Sequence, residues 1–250
     1  MIATFSSCSK NFHADLSAPL DISIPLRAGK HNVNAFHIPP AVFEPFSMGD
    51  FIGDVQAGGA CNVYDVKFNP HGNGTHTETV GHISKEKYPI YAALTQFFFS
   101  ARLITLAPIE NAGDWFITAE QIAEQIGTDW PEALVIRTLP NSREKLNFQY
   151  SGTNPVFLHA NAAALLCKNK VLHLLVDFPS VDREEDGGRL SAHKAFWNYP
   201  EATRKNATIT ELIFVPESIL DGWYLLNLQT SSFDNDASPS KPVLFRAEII

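Results

Sequence analysis

The segment 69–82 reads NPHGNGTHTETVGH and places His71, His76, Glu78 and His82 within twelve residues. Three of the chain's nine histidines and one carboxylate therefore crowd a short stretch. Alternate residues of an extended chain point to one side. His76, Glu78 and, if the chain stays extended, His82 then share a face. Two imidazoles with a carboxylate form the nitrogen and oxygen donor set that suits zinc, manganese or iron. His71 breaks the parity, standing five residues before His76, and Gly72 and Gly74 offer the bulge or turn that would bring it round. Spacing alone leaves the segment open between a metal site and a polar loop of solvated histidines.

Other chemistry-bearing residues are more scattered. Asp177-Phe-Pro-Ser-Val-Asp182 follows an expected strand, a position where α/β folds place functional loops, and it reads equally well as a turn. Glu211 lies among apolar residues of another expected strand. A carboxylate there is costly to bury unless paired or bound to a metal, and it faces solvent in the alternative. His193 reads as a surface residue of a short helix, and His159 and His173 as partly buried. No GxSxG elbow favours a serine hydrolase. Cys61 has no designated histidine to activate it.

These side chains need elements to hold them. Strands are expected at 101–107, 133–139, 171–177, 208–215, 223–229 and 243–249, each rich in β-branched, leucine or aromatic residues. Thr118 with Gln121 has the form of a capping box, and Gly127 can end that helix. Asn161 is the expected cap of a second helix over 162–168, and a third short helix is expected at 191–198. No GxGxxG follows a strand, so a dinucleotide-binding fold is excluded. Without repeats or linker-like blocks, the expectation is one α/β domain over residues 1–250, with a mixed β-sheet core and few helices.

Composition sets the outer bounds. With 250 residues, 45% hydrophobic and 18% charged, the chain is an ordinary globular sequence rather than a disordered one. A net charge of −8 disfavours nucleic acid and anionic membrane as partners. The first twenty residues lack a signal-peptide core, and the apolar stretch 91–109 is broken by Gln96, Ser100 and Arg102. The expectation is a soluble, cytoplasmic protein. Three widely spaced cysteines argue against disulfides or thiolate zinc, and are expected as reduced thiols packed like small apolar residues.

The separated motifs also resemble, in order, those of the metal-dependent cyclase family, which includes bacterial-type kynurenine formamidase and isatin hydrolase. That family's H-x-G-T-H-x-D-x-P-x-H is similar to Gly74-Thr75-His76, Glu78 and His82 here. Asp21-Ile-Ser-Ile-Pro-Leu26 resembles its opening D-x-S-x-P-L, and Leu134-Val-Ile-Arg-Thr138 its central strand. Asp177-Phe-Pro-Ser-Val-Asp182 resembles its D-T-P-S-x-D, while Ser191-Ala-His193 and Glu211 fall where it carries a later histidine and glutamate. The chain departs from the pattern at Glu78 for aspartate, Val80 for proline, Phe178 for threonine, and one extra residue after His71. These departures bear on the substrate more than on the fold.

The resemblance implies a swivelling β/β/α architecture and a divalent metal, zinc or manganese. It implies that His71, His76 and Glu78 hold the ion, that His193 and Glu211 complete the site or help hold a second ion, and that His82 is a second-site ligand or the general base. The implied activity is metal-dependent hydrolysis of a small amide, an aryl formamide or cyclic amide, by metal-activated water. Phe97–Phe99, Trp197 and Tyr199 are candidates for an aromatic pocket, with core packing the alternative for the three phenylalanines. A degenerate relative that binds a metal or small molecule without turnover is the alternative function. A homodimer or larger homo-oligomer acting on a small-molecule substrate is also implied.

Overall fold

A computed structural model describes residues 1–250. Its centre is four parallel strands in the order Phe98–Leu106, Ala133–Thr138, His173–Val176 and Thr208–Glu211. Every residue of Ala133–Thr138 (ALVIRT) is buried, as expected of a parallel strand covered on both faces. Alternation divides its side chains between two cores. Leu134 and Ile136 pack with Ile122, Leu166 and Phe196 from the helices Ala119–Ile126, Ala160–Lys168 and Ser191–Trp197. Ala133 and Val135 pack with Leu103, Leu175, Ile213 and Leu226 on the other side.

Antiparallel strands extend this centre in both directions. Gly222–Asn227, Val243–Ile249, Lys10–Asp15 and Ile2–Ser7 follow beyond Phe98–Leu106, while His76–Glu78 and then Ala237–Pro239 follow beyond Thr208–Glu211. Leu20–Asp21 pairs with Val243–Ile249 to complete an eleven-stranded mixed sheet. With five α-helices, this is the expected mixed α/β class. No helix is long and apolar enough to cross a membrane.

Several local expectations are corrected. Strand 208–215 stops at Glu211, because Leu212 takes a left-handed φ of 54°. Strand 171–177 is shortened to His173–Val176. The capping box at Thr118 is present with both of its hydrogen bonds. The second helix, however, is capped by His159, whose Nδ1 accepts the N–H of Asn161 at 3.3 Å, so Asn161 is not the cap and His159 is exposed rather than partly buried. His173 is buried, as expected. The free cysteines are not packed in the core: Cys61 is exposed and Cys8 and Cys167 are half-buried. Of the three phenylalanines only Phe99 is buried, and Phe97 and Phe98 face solvent.

Candidate metal centre

The strand His76–Glu78 brings the first two groups to the sheet's buried interior, where both residues are fully covered. Its neighbour Thr208–Glu211 runs antiparallel, in a register that sets Glu211 directly opposite His76. Thr77 and Thr210 meet on the other face through their hydroxyls at 2.7 Å, which fixes that register. The result is a contact of 3.4 Å between His76 Nε2 and Glu211 Oε2. The left-handed Leu212, immediately after Glu211, is local backbone strain of the kind that collects beside functional groups.

His71 reaches the same place from a one-turn helix, Pro70–Asn73. Asn69 caps it by accepting the His71 N–H at 2.9 Å, and Pro70 occupies the first turn, where its missing N–H costs nothing. Gly72 is needed for close approach: a Cβ there would lie 2.5 Å from Ile38 Cδ1 and 3.0 Å from the Ala35 carbonyl oxygen. His82 arrives by a different route from the one alternation implies. The strand ends at Glu78, and Thr79 caps a 3₁₀ turn, Val80–His82, that folds His82 back towards the carboxylate. The shared face by parity therefore holds for His76 and Glu78 only.

His193 comes from the helix Ser191–Trp197, on its buried face rather than at the surface. Asp182 accepts the N–H groups of Ala192 and His193 at 2.7 and 3.1 Å, taking the capping role that Leu190 cannot fill. Its Oδ2 also lies 2.6 Å from His193 Nδ1. The opposite nitrogen, Nε2, then faces Glu78 Oε1 at 3.2 Å and Glu211 Oε1 at 3.9 Å.

The six residues carried by the family resemblance, His71, His76, Glu78, His82, His193 and Glu211, thus meet in one cluster, with Glu211 joined to it through His76 and His193. His71 Nδ1 stands 3.1 Å and His82 Nδ1 3.7 Å from Glu78 Oε2. A seventh, Asp236, carries no mark in the sequence. It precedes the edge strand Ala237–Pro239, which pairs with His76–Glu78, and its Oδ2 lies 2.9 Å from His71 Nε2 and 3.6 Å from His82 Nδ1. Only the sheet register places it there. Asp177, by contrast, is spent on Thr138 and Lys145, with Lys145 Nζ at 2.8 Å. Trp197 is fully buried, its ring 5.5 Å from that of His193.

The electrostatics follow from this crowding. Burial opposes charge on His71 and His193, yet the polar contacts and attraction of Asp236 and Glu78, and of Asp182, Glu78 and Glu211, carry both imidazoles up to about 10. Burial likewise opposes charge on Glu78, but the surrounding His82, His193 and His71 hold its carboxyl well below the usual range. Asp236 and Asp182 are lowered in the same way, against their own burial, by the histidines they touch.

The donor set fits a divalent cation on an independent ground. His76 Nε2 and Glu78 Oε2 are buried and make no well-formed hydrogen bond; each has only an ion-pair contact, with Glu211 Oε2 at 3.4 Å and His71 Nδ1 at 3.1 Å. A buried polar atom without a hydrogen bond costs roughly 1–3 kcal/mol, and two facing one cluster is the pattern a bound ion resolves. His71, His76 and Glu78 offer donor atoms within 4.8 Å of one another, as do Glu78, His82 and His193. The open side is formed by His71, His82 and Asp236, whose side chains are 19%, 31% and 24% exposed.

Comparison with known proteins identifies the fold. No curated protein matches the chain in sequence. Among solved structures, isatin hydrolase A from Labrenzia aggregata bound to benzyl benzoate superposes with a TM-score of 0.67 at 13% identity, over 92% of this chain and 94% of the other. An isatin hydrolase bound to the product analogue thioisatinate gives 0.64 at 15% identity, covering 92% of each chain. A "predicted metal-dependent hydrolase" from Bacillus stearothermophilus gives 0.64 at 16% identity, over 91% and 98%. At such identities the likeness is one of fold. The family model described as "Putative cyclase" matches residues 14–183, a span that includes His71 to His82 and Asp182 and stops before His193, Glu211 and Asp236. By that match over most of its length, the chain belongs to the cyclase family.

Proposed function

We propose that the protein is a metal-dependent hydrolase of a small amide, an aryl formamide or cyclic amide. His71, His76, Glu78, His193 and Glu211 are the proposed holders of a divalent ion, zinc or manganese. The observation that carries the reading is the pair of buried atoms, His76 Nε2 and Glu78 Oε2, that make no well-formed hydrogen bond and face one cluster of donor atoms. Family membership supports it, and so does the fold shared with isatin hydrolases, whose named substrate is a cyclic amide. A divalent cation at this place supplies Lewis acidity, acidifying water and polarising a substrate carbonyl.

The chain's own groups divide the remaining work. His71, His76 and His193 each have one ring nitrogen held by Asp236, the Gly74 carbonyl and Asp182, which leaves the other nitrogen directed inward. His82 makes no side-chain hydrogen bond of 3.5 Å or less and is the most exposed of the four. It is therefore the group free to turn, take a proton from attacking water and return it to the leaving nitrogen. Glu78 stays ionised to balance the charge of the ion.

The reading includes a homodimer or larger homo-oligomer in the cytoplasm. Support for assembly is a two-stranded ribbon, Val42–Pro45 with Tyr64–Lys67, exposed along its whole length and carrying Val42, Phe43, Tyr64 and Val66. Sedimentation velocity tests it, and a monomer at all concentrations would remove it.

The test of function is hydrolysis of a panel of N-formyl aromatic amines and cyclic amides by zinc- or manganese-loaded protein. The expected result is turnover that His82→Ala lowers by roughly 10²–10⁴-fold while metal content stays unchanged. Bound metal with no turnover of any panel member would favour a binding protein instead.

A further inference from the structure

We infer that Asp236 is a positioning residue of this centre: its carboxylate holds His71 by Nε2 and so directs Nδ1 at Glu78. The inference rests on the metal-centre reading above and goes beyond the residues carried by the family motifs. Three imidazoles in the cluster each have an outer nitrogen tied down. For His76 the tie is the Gly74 carbonyl oxygen at 3.0 Å, and for His193 it is Asp182 at 2.6 Å. For His71 it is Asp236 Oδ2 at 2.9 Å, from a residue 165 positions away. The inner nitrogen of His71 is left 3.1 Å from Glu78 Oε2. A carboxylate behind a ligand imidazole fixes its tautomer and ring direction and raises its basicity.

Asp236 is itself held rigidly enough for that task. Its carbonyl oxygen accepts the N–H of Thr79 at 3.0 Å, and the next residue, Ala237, is in register with Glu78. Its side chain packs against the turn that carries His82. A Cβ on Gly81 would lie 3.0 Å from Asp236 Cβ and 3.0 Å from the Tyr88 carbonyl oxygen, so glycine at 81 allows the edge strand to close on the site. Because the backbone bond to Thr79 does not involve the carboxylate, substitution of the side chain leaves the strand pairing in place.

The experiment titrates metal-free wild type, Asp236→Ala and Asp236→Asn with cobalt(II), following visible absorption and competing with a chelator. The expected result is a roughly 10–100-fold loss of affinity in Asp236→Ala. Asp236→Asn, which keeps an acceptor for the His71 N–H, should recover most of it. The saturated spectra should keep one shape, and thermal unfolding of the metal-free proteins should show all three folded. Equal affinity in all three would overturn the inference, as would a saturated Asp236→Ala spectrum showing a lost oxygen donor, since Asp236 would then be a ligand. Failure of wild type to bind cobalt would instead overturn the metal-centre reading on which this one rests.

Discussion

Asp182 Oδ2 lies 2.6 Å from His193 Nδ1, and the same carboxylate receives the N–H of His193 at 3.1 Å. One side chain therefore caps the helix Ser191–Trp197 and selects which imidazole nitrogen faces Glu78. Asp182→Ala should lose both functions: about 1 kcal/mol of stability from the cap and roughly 10–100-fold in metal affinity. Asp182→Asn keeps one acceptor oxygen, which can serve the cap or the imidazole but not both, so urea unfolding and metal titration should not both return to the wild-type value. Wild-type metal affinity in Asp182→Ala would contradict the orienting role.

Metal uptake should release protons. His71 and His193 carry pKa values of about 10 in the metal-free protein, so both are charged at pH 8 and must deprotonate to become ligands. Affinity should therefore rise with pH between 7 and 10, and a weakly buffered titration with zinc should acidify the solution. An affinity independent of pH over that range would argue against these histidines as ligands.

The same shifts act on folding. Both folded-state values lie above the ordinary 6.5, so the stabilisation is complete below about pH 6.5 and disappears as pH rises through about 10. Metal-free protein should thus become less stable from neutral to alkaline pH, and metal-loaded protein should not. Chemical unfolding with and without zinc at pH 7 and pH 9.5 measures the difference.

His173 predicts the opposite limb. Burial pushes its pKa down to about 3, with the charge of Arg204 adding to the effect. The unfolded chain binds the proton first, so stability falls as pH drops from 6.5 towards 3, by roughly 2 kcal/mol at pH 5. His173→Gln should flatten that part of the stability profile, at the cost of repacking near Thr208, whose hydroxyl lies 2.8 Å from His173 Nδ1. An unchanged acid limb would remove His173 as its source.

Sequence order made part of this arrangement legible and sheet register made the rest. The cluster from His71 to His82 is local, so residue types and spacing mark it. His193 becomes a site candidate through its order relative to the other motifs, and Glu211 through that order and through its place among apolar strand residues. Asp236 and the orienting role of Asp182 have no local sign, since each acts on a histidine brought near by topology. The path of His82 has no sign in alternation for a related reason: the chain does not stay extended, because Thr79 ends the strand by capping a turn. The hairpin Ile2–Ser7 with Lys10–Asp15 likewise lacks the usual sequence signal. Its turn uses Cys8 and Ser9 at φ of 50° and 59° in place of the usual asparagine and glycine.

The central claim is that the histidines and carboxylates gathered around His76 Nε2 and Glu78 Oε2, neither of which makes a well-formed hydrogen bond, hold a cation. Metal content of purified protein, grown with zinc and manganese supplied, tests this most directly. The account predicts stoichiometric metal in wild type and its loss in a folded His76→Ala variant. Folded wild-type protein without metal, or full metal content in His76→Ala, would contradict it.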